Sequence, residues 1–243
     1  MMSGKKTRRN VLRTGIASVA GLSTLSSITT GDSGQQKEIN TDFNPQSEEE
    51  LKEFISNLLE LRHSKQEDVY SNLSADQREE VAEGLKLEKV EMAVINGTES
   101  VVTSSTNSYS RTFIQSGQST IGENIWDYHH KITYEYTGSG CPIDVTDVSH
   151  STWATSISLG WSYDGDVSDS TDIIDGGCGG SEEARALTQG KFTYALNGVA
   201  YTANPMSRLA GSTQYDFDNS EYAPDAWVVE QRCDYCNGIV GDG

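Results

Sequence analysis

From Trp126 to Tyr136 the chain alternates strictly: Trp126, Tyr128, His130, Ile132, Tyr134 and Tyr136 are separated by Asp127, His129, Lys131, Thr133 and Glu135. Successive side chains of an extended backbone point to opposite faces, so this run makes one face to bury and one to hydrate, which a helix cannot do. Trp153, Thr155, Ile157, Leu159, Trp161 and Tyr163 read as a second such run, ending at Asp164-Gly165. Phe192, Tyr194 and Leu196 lead into Asn197-Gly198, with Val199 and Tyr201 beyond. Both centres of a two-residue hairpin turn need positive φ, which Asn and Gly tolerate, so a hairpin is predicted there. Tyr215 and Phe217 suggest one more strand. Together these segments predict a mainly β domain over residues 91–225, an antiparallel β-sandwich or a partly open barrel. Strands do not alternate with long helices, which argues against a parallel nucleotide-binding sheet.

Residues 47–90 follow a different period. Ser47-Glu48-Glu49-Glu50 has capping-box spacing, and Leu51, Phe54, Ile55, Leu58, Leu59 and Leu61 form one helical stripe. A second start stands at Ser74-Ala75-Asp76-Gln77, followed by Val81, Leu85 and Leu87. Two short helices are therefore expected, too small to bury much surface alone, and so either packed on the β domain or acting as a prosegment. Residues 32–46 read as a polar linker, and 226–243 as a cysteine-containing tail.

Residues 1–31 form a leader. Lys5, Lys6, Arg8, Arg9 and Arg13 precede a weakly apolar stretch, and no acid occurs before Asp32. Arg8-Arg9 followed by Asn10-Val11-Leu12 resembles the twin-arginine export consensus, and a stretch so diluted with Ser, Thr and Gly suits that route. The implied partner during export is the twin-arginine translocase. Beyond the leader, 13 basic and 36 acidic side chains leave −23. A field of that sign repels nucleic acid and anionic membrane surfaces, so neither nucleic-acid binding nor membrane insertion of the mature chain is expected. It is also what a chain working in concentrated salt would carry, where screening relieves self-repulsion.

Cys141, Cys178, Cys233 and Cys236 make an even set. In an exported chain they predict two disulfides, whose three possible pairings spacing cannot separate; a metal site using Cys233-Asp-Tyr-Cys236 is the rival, though it has only one close pair. No cofactor is expected. His129 and His130, as strand neighbours, face opposite ways and cannot readily share one ion; His130, on the aromatic face, reads as a packed core residue. Asp164, Asp166, Asp169, Asp172 and Asp175 place oxygens along a stretch resembling a calcium loop, but Asp169 and Asp175 stand where an EF-hand needs Gly and Glu, so a solvated acidic loop is expected. Asn72-Leu-Ser and Asn96-Gly-Thr are glycosylation sequons.

Ile125-Trp-Asp-Tyr128, Thr133-Tyr-Glu-Tyr136, Trp161-Ser-Tyr-Asp-Gly165, Gly190-Lys-Phe192 and Asn197-Gly-Val199 together resemble a group of small secreted β-proteins of unassigned function. The resemblance spans roughly residues 100–220, implies a fold and an extracellular setting, and carries over no catalytic residue. Leader and acidity separately resemble exported proteins of halophilic archaea. The expectation is an exported, non-enzymatic binding or cell-envelope protein, extracellular or at the cell surface. The alternatives are an extracellular hydrolase with dispersed acidic catalytic residues, and a secreted antagonistic or immunity precursor whose helical segment is removed.

Overall fold

The computed structural model describes residues 39–95, 97–101, 105–176, 178–217 and 220–234. Arg8, Arg9, Asn96 and Cys236 lie outside the described residues. Helix α1 (Glu48–Leu59) starts at Ser47, whose hydroxyl accepts the Glu50 amide at 3.4 Å, and three glutamates in its first turn complement the helix dipole. It buries Leu51, Phe54, Ile55 and Leu58. Helix α3 (Ala75–Gly84) opens with a complete Ser74–Gln77 capping box. Between them lies a helix not anticipated from the sequence, α2 (His63–Ser71), which has no side-chain cap and buries only Gln66. Its amphipathic stripe is almost absent, so periodicity passed over it. Tertiary bonds hold it instead: Gln66 Nε2 donates to Leu61 O at 2.9 Å, and the Tyr70 hydroxyl donates to Arg78 O at 3.1 Å.

Among the described residues nine strands follow, in two antiparallel sheets. In the first, β1 (Leu87–Val94) and β2 (Thr98–Val101) share one edge of β3 (Asn107–Ser119), which pairs with β4 (Asn124–Thr137) and then β5 (Asp144–Thr155). The second is a meander of β6 (Trp161–Asp175), β7 (Glu182–Leu196), β8 (Val199–Asp216) and β9 (Glu221–Asp234). The two pack face to face as a β-sandwich, and neither closes into a barrel.

Several strand limits differ from the sequence expectations. Trp153 to Tyr163 is not one run: β5 stops at Thr155, and Ser156 (φ +56°) and Gly160 (φ +79°) turn the chain into the other sheet. That break reverses parity, so Trp153 stacks on His129 outside the sandwich, with ring centroids 4.8 Å apart, while Trp161 is buried. Asp164 to Asp175 is strand, not loop, with the β6–β7 register shifting on either side of Asp166. Tyr215 lies next to the end of β8 and Phe217 in the following turn; the last strand among the described residues is β9, which takes in half of the segment read as a tail. The Asn197-Gly198 hairpin forms as expected, with φ of +50° and +77°.

The inward row Trp126, Tyr128, His130, Ile132, Tyr134 and Tyr136 is buried throughout. Its upper end joins the helices in one apolar cluster: Trp126 stacks on Phe192 at 4.4 Å, Trp161 Nε1 donates to Leu85 O at 3.0 Å, and the Tyr194 hydroxyl donates to Ala82 O at 2.6 Å. Its lower end packs Ile132, Tyr134 and Tyr136 against Ala184, Ala186, Leu209 and Ala226. Glycines admit the large rings. A Cβ on Gly190 would stand 2.8 Å from the Tyr128 ring, and one on Gly211 would stand 2.6 Å from that of Tyr134.

Candidate functional site

Between the two apolar clusters the inward face turns polar. His130 and Ser207, each 1 % exposed, are joined by a 2.7 Å hydrogen bond between Nδ1 and Oγ. Gln115 reaches from β3 to donate to Met206 O at 3.3 Å, and the Tyr128 hydroxyl meets Thr188 Oγ1 at 2.6 Å. These bonds cross from one sheet to the other, as does Tyr134, whose hydroxyl donates to Ser212 O at 2.8 Å. A buried hydrogen bond contributes about 0.5–1.5 kcal/mol net, and leaving either partner alone costs more, so the layer fixes how the sheets register.

Toward the β5–β6 edge the layer reaches solvent. Asp166 accepts from the Tyr128 hydroxyl at 2.7 Å, the Tyr163 hydroxyl at 2.5 Å and the Thr152 hydroxyl. Its acceptor capacity goes to neutral donors of its own chain. The His150 ring meets His130 edge-on at 5.3 Å, and its Nε2 lies 3.8 Å from Asp169. Burial, and secondarily His150, pushes His130 down to about 3, which keeps the ring neutral. Burial first, then the bond to Asp166, raises the Tyr128 hydroxyl far above its ordinary value. A serine bonded to a neutral imidazole has the composition of a nucleophile and base, but a base must touch its substrate, and both groups lie inside the sandwich.

The sequence-read residues separate accordingly. His129 faces outward and bonds Thr155 Oγ1 at 2.8 Å, while His130 faces inward. Asp164 accepts from Thr193 at 2.6 Å and pairs with Lys191 at 3.3 Å; the Thr193 bond foremost holds its carboxyl below the ordinary range. Asp172 lies on the outer face, and Asp175 pairs in register with Glu182. No three metal-ligating side chains converge among the described residues. Asn72 is exposed at the end of α2, its amide bonded to Asp68 O at 2.8 Å. A Cβ on Gly179 would stand 3.0 Å from Cys141 Sγ.

The outer face of the second sheet carries accessible groups. Ser170, Asp172, Ile174, Arg185, Leu187 and Arg208 line a groove of about 260 Å³ across β6, β7 and β8. Arg185 Nε bonds Glu183, Arg208 pairs with Glu230 at 3.4 Å, and Glu230 also meets Arg232 at 3.6 Å. Three of the six arginines after residue 31 therefore stand on one sheet of a strongly acidic protein. Sequence reasoning passed over them because they are scattered in sequence and meet only through pairing of β7, β8 and β9. No helix among the described residues is long and apolar enough to cross a membrane. Comparison with known proteins finds no match: no family model, no curated protein and no solved structure aligns with this chain.

Proposed function

We propose that the chain is an exported, non-catalytic binding protein, extracellular or held at the cell surface, which offers the β6–β8 groove to a carboxylate-bearing ligand. The observation that carries the reading is the placement of Arg185 and Arg208 in one groove, each braced by a glutamate of the same sheet. A guanidinium fork matches a carboxylate bidentately, and Ile174 and Leu187 add apolar contact. The leader, with Arg8 and Arg9, supports export through the twin-arginine translocase, and the acidity supports a saline setting. Asp172 is the lone carboxylate lining the groove, whereas glycoside hydrolysis uses two acids that face each other. The helical segment shares the sandwich core, which supports its retention in the mature protein.

Titration of the full chain with galacturonate oligomers in molar NaCl tests this, followed through the arginine side-chain resonances. Saturable shifts at Arg185 and Arg208 are expected in the wild type, and calorimetric titration should show an affinity at least about tenfold lower in Arg185→Gln/Arg208→Gln; a tenfold loss corresponds to about 1.4 kcal/mol. Equal binding by the double variant would reject the groove, and release of shortened oligomers would move the protein to the hydrolases.

We further propose that Cys141 bridges to Cys178, beside Gly179, and Cys233 to Cys236. Peptide mass mapping without reduction reads the pairing directly. Four free thiols with one stoichiometric zinc would favour the metal alternative instead.

A further inference from the structure

Strand pairing sets four residues in one row across the second sheet. Asp172 on β6 lies opposite Arg185 on β7, Arg185 opposite Ala210 on β8, and Ala210 opposite Trp227 on β9. Ala226 is wholly buried and Val228 packs on the lower apolar cluster, so Trp227 between them points out of the sandwich, where it is half-buried. Ala210 also faces outward, because its neighbour Leu209 belongs to the core, yet it too is wholly buried. A methyl group cannot cover itself, and the larger side chains that stand directly opposite it, one on either side, are Arg185 and Trp227. The indole therefore continues the arginine-bearing surface onto β9.

Glu183 holds Arg185 through Nε, which leaves the Nη pair of the guanidinium for an incoming carboxylate. Asp172 stands on the β6 side of Arg185 and repels that carboxylate, so a bound anion is driven the other way along the row, toward Ala210 and Trp227. The backbones of Arg185 and Trp227 are two strand spacings apart, about 10 Å, so a ligand that serves both is longer than one small acid. It must offer a carboxylate at one point and a flat apolar face at the next. Aspartyl and glutamyl peptides carry their carboxylates on flexible chains without a ring. A uronic acid joins a carboxylate to a pyranose ring whose C–H face can lie on an indole, and a chain of such units repeats both features.

We infer that Trp227 is a ring-stacking subsite beside the groove and that the ligand is an acidic polysaccharide of uronic acid units, one unit engaging Arg185 while the next lies on the indole. This rests on the arginine groove being a carboxylate site and adds to it the class of ligand. The full chain is titrated calorimetrically in molar NaCl with galacturonate, digalacturonate and triaspartate, and the Trp227 indole N–H resonance is followed in parallel. Digalacturonate is expected to bind at least about fivefold more tightly than galacturonate, because the second ring reaches its subsite at high effective concentration, and to shift the indole N–H saturably. Trp227→Ala should reduce that advantage to less than about twofold, and Trp227→Tyr, which restores a ring, should recover most of it. Triaspartate should bind no better than galacturonate. A dimer no tighter than the monomer, an advantage that survives in Trp227→Ala, or triaspartate equal to digalacturonate would each overturn the stacking subsite, while shifts of Arg185 by galacturonate would leave the groove standing. Binding by none of the three would reject the groove and the subsite together.

Discussion

Burial holds His130 neutral down to about pH 3, whereas in the unfolded chain the ring takes up a proton near 6.5. Below that value the unfolded state binds a proton that the folded state refuses, so the contribution to stability is complete above about pH 6.5 and declines as the pH falls toward 3. The slope approaches about 1.4 kcal/mol per pH unit. His130→Gln keeps a partner for Ser207 without titrating, so the stability difference between wild type and variant should narrow steadily from pH 6 to pH 4 in denaturant melts. A difference that does not change with pH would mean that the ring is solvated and not sealed. The inward place of His130 was legible from alternation alone. Its partner was not, because Ser207 lies far along the chain and nothing near it distinguishes one serine from another. Gln115 and Thr188 escaped for the same reason: a polar residue at an inward position becomes visible only once the facing strand is known.

Among the elements, the strongly periodic ones were readable and the weakly periodic ones were not. α1 and β4 bury a stripe and a row respectively, and in each the pattern comes from residues that must leave water. α2 has no such stripe and exists because Gln66 and Tyr70 find backbone partners that only the folded chain supplies. The break between β5 and β6 was hidden by apolar residues that continue the alternation through it, while Ser156 and Gly160 reverse the faces. Two substitutions separate these sources of stability. Leu58→Ala in α1 should cost about 2–5 kcal/mol, since that side chain is wholly buried, whereas Ser74→Ala at the α3 cap should cost about 1 kcal/mol. Equal losses in urea melts would mean that the helices contribute little to the shared core. The proposed bridges differ in the same way. A Cys141–Cys178 link closes a loop worth about 4 kcal/mol in chain entropy and a Cys233–Cys236 link about 1.5 kcal/mol, so Cys141→Ala should destabilise much more than Cys236→Ala.

Over the whole molecule, charge opposes what packing builds. Pairing of the strands sets Glu135 directly opposite Asp147 and Asp175 opposite Glu182, and like charges facing across a ladder repel. A chain carrying 36 acids against 18 bases tolerates such pairs most readily where the solvent screens them. At about 0.1 M salt the screening length is about 10 Å, longer than the spacing of neighbouring strands; at about 1 M it falls to about 3 Å and even facing carboxylates are shielded. If that relief amounts to about 3 kcal/mol, the thermal midpoint should rise by about 6–12 °C between 0.1 and 2 M NaCl. Salt also strengthens apolar burial to a degree that depends on the ion, so the rise alone does not isolate charge. Asp147→Lys and Glu182→Lys do, because each turns a repelling pair into an attracting one. The double variant should melt higher than wild type in low salt, by about 1–4 °C for each pair, and the two curves should converge in high salt. Parallel curves with a constant offset would assign the salt response to burial and leave the acids as a solvated coat with no part in setting stability.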